Sequence, residues 1–595
     1  MEQLQDRGGM DSRWMWNLND ILEGTEAFDA LLAETEKKIV AMNALEGKVS
    51  EDPRAAVKLN FEIAHCTEKL YVYAKMQLDQ DGGNAEAQTL LAKAQAVSAK
   101  AMSAGSFLKP ELLAMDEKTL SEMRDDPAFN EYSCYMDDVL RDKPHTLPAE
   151  QEKLMAMAAE CAGASSEIFS MLSDVDMVMP EVTDEEGNKV RLSHALYGSL
   201  IRSRNREVRK EAWEGMMNAY AAYRQTIAAA YRYSVKNDAF FARARRFDSA
   251  MEASLFGEQI PVKVYDSLIE SVHSMIPALN DYLALRKKTL GVDELHMYDL
   301  YVPMADGFDM KMSYPEAFEL VKKGLKPLGE HYAKLLDEAY TDGWIDVYEN
   351  KGKHSGAYSW GVYGVHPYVL LNFTGDLSGA MTLAHELGHA MHSWHSDHAL
   401  PFAKAGYSLF VAEVASTCNE MLLMRSLLKE YENNREASVY LMNQLLEEFR
   451  GTVYRQTMFA EFERESHRME EAGEPLTAES LSAMNEKLNQ LYYGGVCKVD
   501  EAVRWEWMRI PHYYNAFYVY KYATGFSAAV YIANRIMTEG QKAVDDYMKF
   551  LSAGGSMPPL DALRLAGVDM EDPATVQDAL KVFADTVREL TEKLA

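Results

Sequence analysis

Apolar residues recur at three- and four-residue intervals through most of the chain, the pattern of amphipathic helices that bury one face. Residues 28–47 and 55–80 repeat this spacing with Glu and Lys between the apolar positions. The stretch 84–105 is rich in Ala, Gln and Lys, which favour helix by propensity alone. Long helical patterns return at 205–245 and 262–290. Between them, Pro110, Pro127, Pro144 and Pro148 cut the chain into shorter pieces. A β-hairpin is expected where Val175–Val182 and Lys189–Leu192 flank the turn sequence Asp184-Glu185-Glu186-Gly187-Asn188. The boundary is placed near 190. It separates an amino-terminal helical region, 1–190, from a larger helical region, 191–595, and no fixed-period repeat crosses it.

The period changes between 340 and 376. Trp344-Ile345-Asp346-Val347-Tyr348, Tyr358-Ser359-Trp360-Gly361-Val362-Tyr363 and Tyr368-Val369-Leu370-Leu371 mix aromatic and β-branched residues with glycines. Such residues fit a pleated, half-buried surface, so a small sheet embedded in a helical protein is expected here. Thr374-Gly375-Asp376-Leu377-Ser378 then supplies N-cap chemistry for a new helix.

Composition narrows the function classes. The chain has 595 residues, 48% hydrophobic and 26% charged, which is globular and long enough for a large core. Its net charge of −31 repels phosphate backbones and anionic membrane surfaces, which disfavours nucleic-acid and membrane partners. Cys66, Cys134, Cys161, Cys418 and Cys497 show no paired spacing, as expected in a reducing compartment. The polar, acidic start lacks a basic stretch followed by an apolar run. A cytoplasmic location is the expectation.

The new helix carries Ala384-His385-Glu386-Leu387-Gly388-His389-Ala390-Met391-His392. Residues four apart lie one turn apart on nearly the same face, so His385 and His389 can address one ion with Glu386 beside them. In the H-E-x-x-H pattern the histidines ligate zinc and the glutamate is the general base. With 15 histidines in the chain, a chance match is expected at only roughly 0.03 per chain of this length. A catalytic zinc needs a third ligand and an open position for water. His392 is one candidate, but three ligands from one straight helix crowd one side of the ion. Glu413 is the better one, since it stands among Val411, Val414, Cys418 and Met421 on a segment that reads as buried helix. An unpaired buried carboxylate is costly, which calls for a metal or, on the plainer reading, for an Arg or Lys. Ser416 and Glu420 follow at helical spacing and could orient ligands, although Glu420 could equally be a surface residue.

Peptide hydrolysis also needs a donor to the oxyanion of the tetrahedral intermediate. Arg509-Ile510-Pro511-His512-Tyr513-Tyr514-Asn515-Ala516-Phe517-Tyr518-Val519-Tyr520-Lys521-Tyr522 holds one histidine and five tyrosines, all suitable donors. Read as helix, Tyr514, Tyr518 and Tyr522 share a face that Tyr520 does not. Core packing is the plain reading of any single tyrosine. For the group, His512 is the first candidate, and Tyr514 and Tyr520 are next.

In combination, H-E-L-G-H-A-M-H, F-V-A-E-V-A-S-T, S-G-A-Y-S-W-G-V-Y and P-H-Y-Y-N-A-F-Y-V-Y-K-Y-A-T-G-F-S closely resemble the oligoendopeptidase F group of the thimet-oligopeptidase family of zinc metallopeptidases. The opening W-N-L-N-D-I-L resembles that family's start, so the likeness covers essentially the whole chain. It implies a mainly α, two-lobed zincin-type fold with a small β-sheet beside the active-site helix. A deep channel would admit short unstructured peptides and exclude folded proteins. It further implies one zinc ion per chain on His385, His389 and Glu413, with Glu386 as base. His512 and one or more of Tyr514, Tyr518 and Tyr520 would stabilise the transition state, and the stretch from Ala357 to Tyr363 would pair with substrate backbone. One departure stands out. Mammalian relatives carry a glycine-rich loop before their catalytic tyrosines, whereas Tyr513–Phe517 contains no glycine, and Gly494-Gly495 is the nearest source of hinge freedom. The expected activity is cleavage of internal bonds in oligopeptides. A dipeptide-releasing carboxypeptidase is the alternative within peptidases, if Arg504, Arg509 or Lys521 receives a substrate carboxylate. A zinc-containing peptide-binding protein without hydrolysis is the alternative outside them, against which the intact Glu386 argues.

Overall fold

The computed structural model describes residues 4–305, 307–308 and 310–595, with the side chain of Ala149 left aside. Helix dominates, as the spacing predicts. Helices α1 (Gly24–Asn43), α2 (Pro53–Gln80) and α3 (Ala85–Gly105) realise the first three patterns. Asp52 and Asn84 cap α2 and α3 by accepting backbone N–H groups of Ala55 and Glu86. The later patterns each break once. The stretch 205–245 becomes Arg206–Ala222 and Arg224–Ala244, and 262–290 becomes Val262–Ser274 and Ile276–Leu290. Pro277 lies in the first turn of the last of these, where its missing N–H costs nothing. The expected hairpin is present but shorter, with β1 (Glu181–Thr183) antiparallel to β2 (Lys189–Arg191). Val175 instead lies within a π-turn over Leu172–Asp176, closed by the Met177 N–H on the Leu172 carbonyl.

Two compact units emerge, each assembled from three separated segments. The first comprises Met1–Thr146, Asp309–Ser426 and Ile532–Val568. The second comprises Leu147–Phe308, Leu427–Tyr531 and Asp569–Ala595. Compactness therefore divides the chain differently from the consecutive regions 1–190 and 191–595, whose boundary falls inside the second unit. Periodicity along a chain shows where helices are, but not which of them share a core.

Within the first unit, α1–α3 bury Phe28, Ile39, Met42, Val57, Leu70 and Leu90 in one core that extends to Tyr368 and Leu370. Those last two belong to the small sheet expected between 340 and 376. Numbering strands in chain order, β3 pairs Leu295–His296 with β7, Cys497–Lys498, in the second unit. In the first unit, β4 (Ile345–Asp346), β5 (Tyr358–Trp360) and β6 (Tyr368–Leu370) form a sheet in the order β4-β6-β5. Buried Lys353 pins it, donating to the carbonyls of Tyr348 (2.8 Å) and Leu371 and pairing with Asp346 at 2.7 Å. Strand β5 is paired on one side only, antiparallel to β6.

The core of the second unit gathers Tyr231, Tyr265, Phe462, Trp507 and Tyr513, all nearly fully buried. Its buried Asp299 is held by Arg206 and Arg209, so the charge has partners where water does not reach. No helix among the described residues is long and apolar enough to cross a membrane. All five cysteines are free thiols.

Candidate metal centre and catalytic segment

Helix α4 (Leu377–Ala399) starts where the sequence places its cap. The Asp376 carboxylate accepts the Gly379 N–H at 2.9 Å and the Thr374 hydroxyl at 2.6 Å. One turn apart on this helix, His385 and His389 bring their Nε2 atoms to 3.2 Å. A second helix, α5 (Leu409–Glu430), contributes Glu413, whose Oε2 lies 3.3 Å from each of those nitrogens. Among the described residues, these three form the one set of three His, Cys, Asp or Glu groups converging within a metal's reach.

The helix crossing that unites them depends on a missing side chain. A Cβ at Gly388 would stand 2.5 Å from Ser416 Cα and 2.6 Å from the Ala415 carbonyl oxygen. Only glycine lets α5 approach α4 so closely at this point. Asn419 then clasps the pair, donating to the Ala384 carbonyl at 3.1 Å and accepting from the buried Tyr332 hydroxyl at 2.9 Å. Neither role is legible from local spacing, although a glycine inside a strongly helical motif is itself a signal of close approach.

The donor set fits a divalent ion such as zinc. Tetrahedral ligands about 2.05 Å from a centre stand about 3.3 Å apart, and the three separations here are 3.2, 3.3 and 3.3 Å. Two imidazole lone pairs and a carboxylate aimed at one point repel unless a proton or a cation lies between them. Electrostatics express the same demand. Burial disfavours a charged His385 ring, yet the carboxylates of Glu413 and Glu420 outweigh it and push its pKa to about 10. Contacts with His385 and His389 hold the Glu413 carboxyl far below its ordinary range, against the opposing effect of burial.

One expectation needs correction. The Glu413 side chain is 55% exposed, not buried among its apolar neighbours. Val411, Val414 and Cys418 occupy the inner face of α5, and Glu413 projects from another face toward the histidines. The metal reading thus rests on convergence, not on the cost of burying a lone carboxylate. The exposure leaves the cluster open on one side, as a catalytic ion requires. Glu420 is no bystander, since its Oε2 lies 3.4 Å from His385 Nδ1 and orients that ring. Ser416 donates to Glu413 Oε2 at 3.1 Å. His392 stands apart from the cluster. Its fully buried ring stacks on Tyr407 with centroids 3.7 Å apart, and burial lowers its pKa to about 3.

Glu386, beside the ligands, is buried, and burial raises its carboxyl pKa while His385 and His389 act against the rise. The sheet also meets this helix. A Cβ at Gly361, next to β5, would stand 2.8 Å from Ser393 Cβ, which lies one turn beyond His389.

The tyrosine-rich segment belongs to the second unit and is not one helix. It runs through short 3-10 turns at Glu501–Arg509 and Pro511–Tyr514 before α6 (Tyr520–Glu539) begins. Pro511 lacks an N–H, and Phe517 adopts a left-handed φ of 59°. The Phe517 N–H is met by the buried Glu463 carboxylate at 3.1 Å. This break regroups the candidates. His512 is exposed and sits with Tyr518 (6.3 Å between centroids) and Tyr522 (6.0 Å). Tyr514 turns away to stack on Phe169 at 4.6 Å, with its hydroxyl buried and unbonded. Tyr520 is fully buried against Tyr265 at 5.0 Å. Burial lowers the His512 pKa, which favours the neutral ring.

Comparison with known proteins adds an independent line. The model of Peptidase family M3 matches residues 199–582, and that of Oligopeptidase F matches 111–178. The chain is 41% identical to oligopeptidase PepF of Bacillus subtilis, covering all of this chain and 89% of that protein. It is 36% identical to group B oligopeptidase PepB of Streptococcus agalactiae, over 99% and 98% of the two chains. Among solved structures, oligoendopeptidase-F from Enterococcus faecium superposes with a TM-score of 0.73 at 34% identity, over 96% and 99% of the chains. A crystal structure from Chlamydophila abortus superposes with a TM-score of 0.95 at 34% identity, over 99% and 100%.

Proposed function

This chain belongs to peptidase family M3, and on that premise we propose that it is a zinc endopeptidase acting on short, unstructured oligopeptides. The observation that carries the reading is the triangle of His385, His389 and Glu413 donor atoms, with the buried Glu386 carboxyl next to it. His385, His389 and Glu413 would hold the ion. When bound, zinc supplies Lewis acidity, polarising the scissile carbonyl and making water nucleophilic near neutral pH. Glu386 accepts the proton of the attacking water and passes it to the leaving amine. A raised pKa suits that task, because the group must both take and release a proton near pH 7. Glu420 and Ser416 hold His385 and Glu413 in register. His512, with Tyr518 by its place beside it, is assigned to the oxyanion, whereas Tyr514 and Tyr520, also expected from sequence, are packed against Phe169 and Tyr265. The unpaired side of β5 is assigned to substrate backbone.

An endopeptidase is favoured over a dipeptide-releasing carboxypeptidase by the state of the basic candidates. Arg504 pairs with Glu479 at 2.6 Å, Lys521 pairs with Glu258, and Arg509 lies over the Tyr197 ring at 4.9 Å. At Arg504 and Lys521 a substrate carboxylate would have to displace an acidic partner.

The test is cleavage of a fluorogenic peptide blocked at both ends, with metal content measured on the same sample. Turnover should vanish on chelation and return with one equivalent of zinc. Undiminished cleavage by metal-free protein would refute the reading, and cleavage only of peptides with a free carboxy terminus would replace it with the carboxypeptidase.

A further inference from the structure

Helix Arg455–Glu471 packs against the segment that carries His512 and Tyr518, with Phe459 and Phe462 on the Tyr513 ring at 5.8 and 4.8 Å between centroids. The next residue, Glu463, brings to the same segment a carboxyl that the mechanism does not use. It is fully buried, and no Lys or Arg pairs with it among the described residues. Its Oε1 accepts the Phe517 N–H at 3.1 Å, and its Oε2 is buried with no hydrogen-bond partner among the described residues. Burying a carboxyl without a base is costly. Such departures from the rules of packing concentrate where a protein needs them for function.

Phe517 is the strained point of the segment. Its φ of 59° lies in the left-handed region, where a bulky side chain crowds the backbone and stays only if its surroundings hold it. On either side the chain is held by its own backbone. The Asn515 N–H donates to the His512 carbonyl at 2.9 Å, and the Lys521 N–H to the Tyr518 carbonyl at 3.1 Å. The Phe517 N–H goes to a side chain instead. The Phe517 ring is gripped by Tyr265, at 5.8 Å between centroids, and by His467 at 4.5 Å, one turn beyond Glu463 on the same helix. Ser254 donates to the Ala516 carbonyl at 3.2 Å. Glu463 therefore supplies the polar hold on a turn flanked by His512 and Tyr518, whose rings stand 6.3 Å apart and 10° from parallel.

On the assignment of that pair to the oxyanion, we infer that Glu463 is a positioning residue: by holding the Phe517 amide in its left-handed turn, it sets Tyr518 beside His512. The carboxyl does this in its neutral form. Burial pushes its pKa well above the ordinary carboxylate range, the Phe517 N–H opposes the rise, and the charge of Asp238 adds to it. Oε1 accepts from the amide while Oε2 keeps the proton. A glutamine side chain offers the same pattern of one acceptor and one donor group, whereas an apolar chain of equal length offers neither.

The test pairs steady-state cleavage of a doubly blocked peptide by the zinc-loaded full chain with amide hydrogen exchange over residues 511–519. Glu463→Gln should keep kcat within about threefold and leave exchange of that stretch unchanged. Glu463→Met fills the space but leaves the Phe517 N–H unmet. Its kcat should fall about 10–100-fold, its KM should move less than about threefold, and the stretch should exchange faster. Glu463→Asp withdraws the acceptor by one methylene and should fall between the two, which carries the test if the Met variant does not fold. Tyr518→Phe should cost about tenfold in the wild-type background and less than about twofold on top of Glu463→Met, because a displaced hydroxyl has little left to lose. Additive losses in that pair, equal losses in the Gln variant and in the Met or Asp variant, or a folded Met variant of full activity would each overturn the role of Glu463 alone. Absence of cleavage by the zinc-loaded wild type would overturn the functional reading, and this role with it.

Discussion

Glu386 and Glu413 are the same side chain in opposite electrostatic situations. Burial raises the pKa of Glu386, whereas two imidazoles draw Glu413 far down. One is suited to moving protons and the other to staying an anion, which agrees with the proposed roles of base and ligand. Glu386→Gln should retain stoichiometric zinc and lose about 10²–10⁴-fold in kcat, read from metal content and turnover together. Glu413→Ala should shed the ion under mild chelation. His392→Ala should keep it and lower thermal stability instead, because that ring packs on Tyr407 and touches no ligand. Metal loss in His392→Ala with retention in Glu413→Ala would reverse the assignment. At this scale the sequence is a good guide for the histidines, whose spacing on one helix sets their geometry. It misleads about the burial of Glu413, since apolar neighbours in sequence lie on other faces of the helix.

Between elements, the decisive contact is the crossing of α4 and α5 at Gly388. Gly388→Ala inserts a methyl group 2.5 Å from Ser416 Cα, where backbone must yield. The variant should lose about 1–3 kcal/mol of stability and bind zinc more weakly, because Glu413 retreats from the histidines. Unchanged metal affinity would show that the crossing does not set the site. Helices α2 and α4 each carry a buried acid, Glu68 and Asp397, with a pKa raised to about 7 by burial, and for Glu68 also by the charge of Asp397. The folded chain thus holds protons that the unfolded chain releases near pH 4. Between roughly pH 4 and 7 the unfolded state binds fewer protons, so stability falls as pH rises through that window. Glu68→Gln should therefore gain stability over wild type at pH 8 and gain little at pH 5, in denaturant unfolding at the two pH values. The tyrosine segment shows where element-level reading fails. A helical wheel groups Tyr514 with Tyr518 and Tyr522, but Pro511 and left-handed Phe517 break the helix, and Tyr514 leaves the group.

At the scale of the whole chain, the contacts that hold the helix crossing use no metal-ligand atom. Gly388, Asn419 and Tyr332 hold the helix crossing without any ion, so zinc removal should abolish cleavage while leaving helix content intact and lowering Tm by only a few degrees. Global unfolding on chelation would contradict this. The net charge of −31 adds a long-range effect, and kcat/KM for a cationic peptide should fall with ionic strength more than for a neutral one. The sequence by itself determined the helical class, the sheet between 340 and 376, the capped helix of His385 and His389, and the family, because each is written in local spacing or in contiguous motifs. Only the tertiary structure set Glu413 Oε2 at 3.3 Å from both histidines with His392 apart from them, put Glu420 beside His385, and grouped His512 with Tyr518. It also decided which segments share a core. Those outcomes depend on which helix faces meet, and side-chain packing between residues remote in sequence leaves no period along the chain to read.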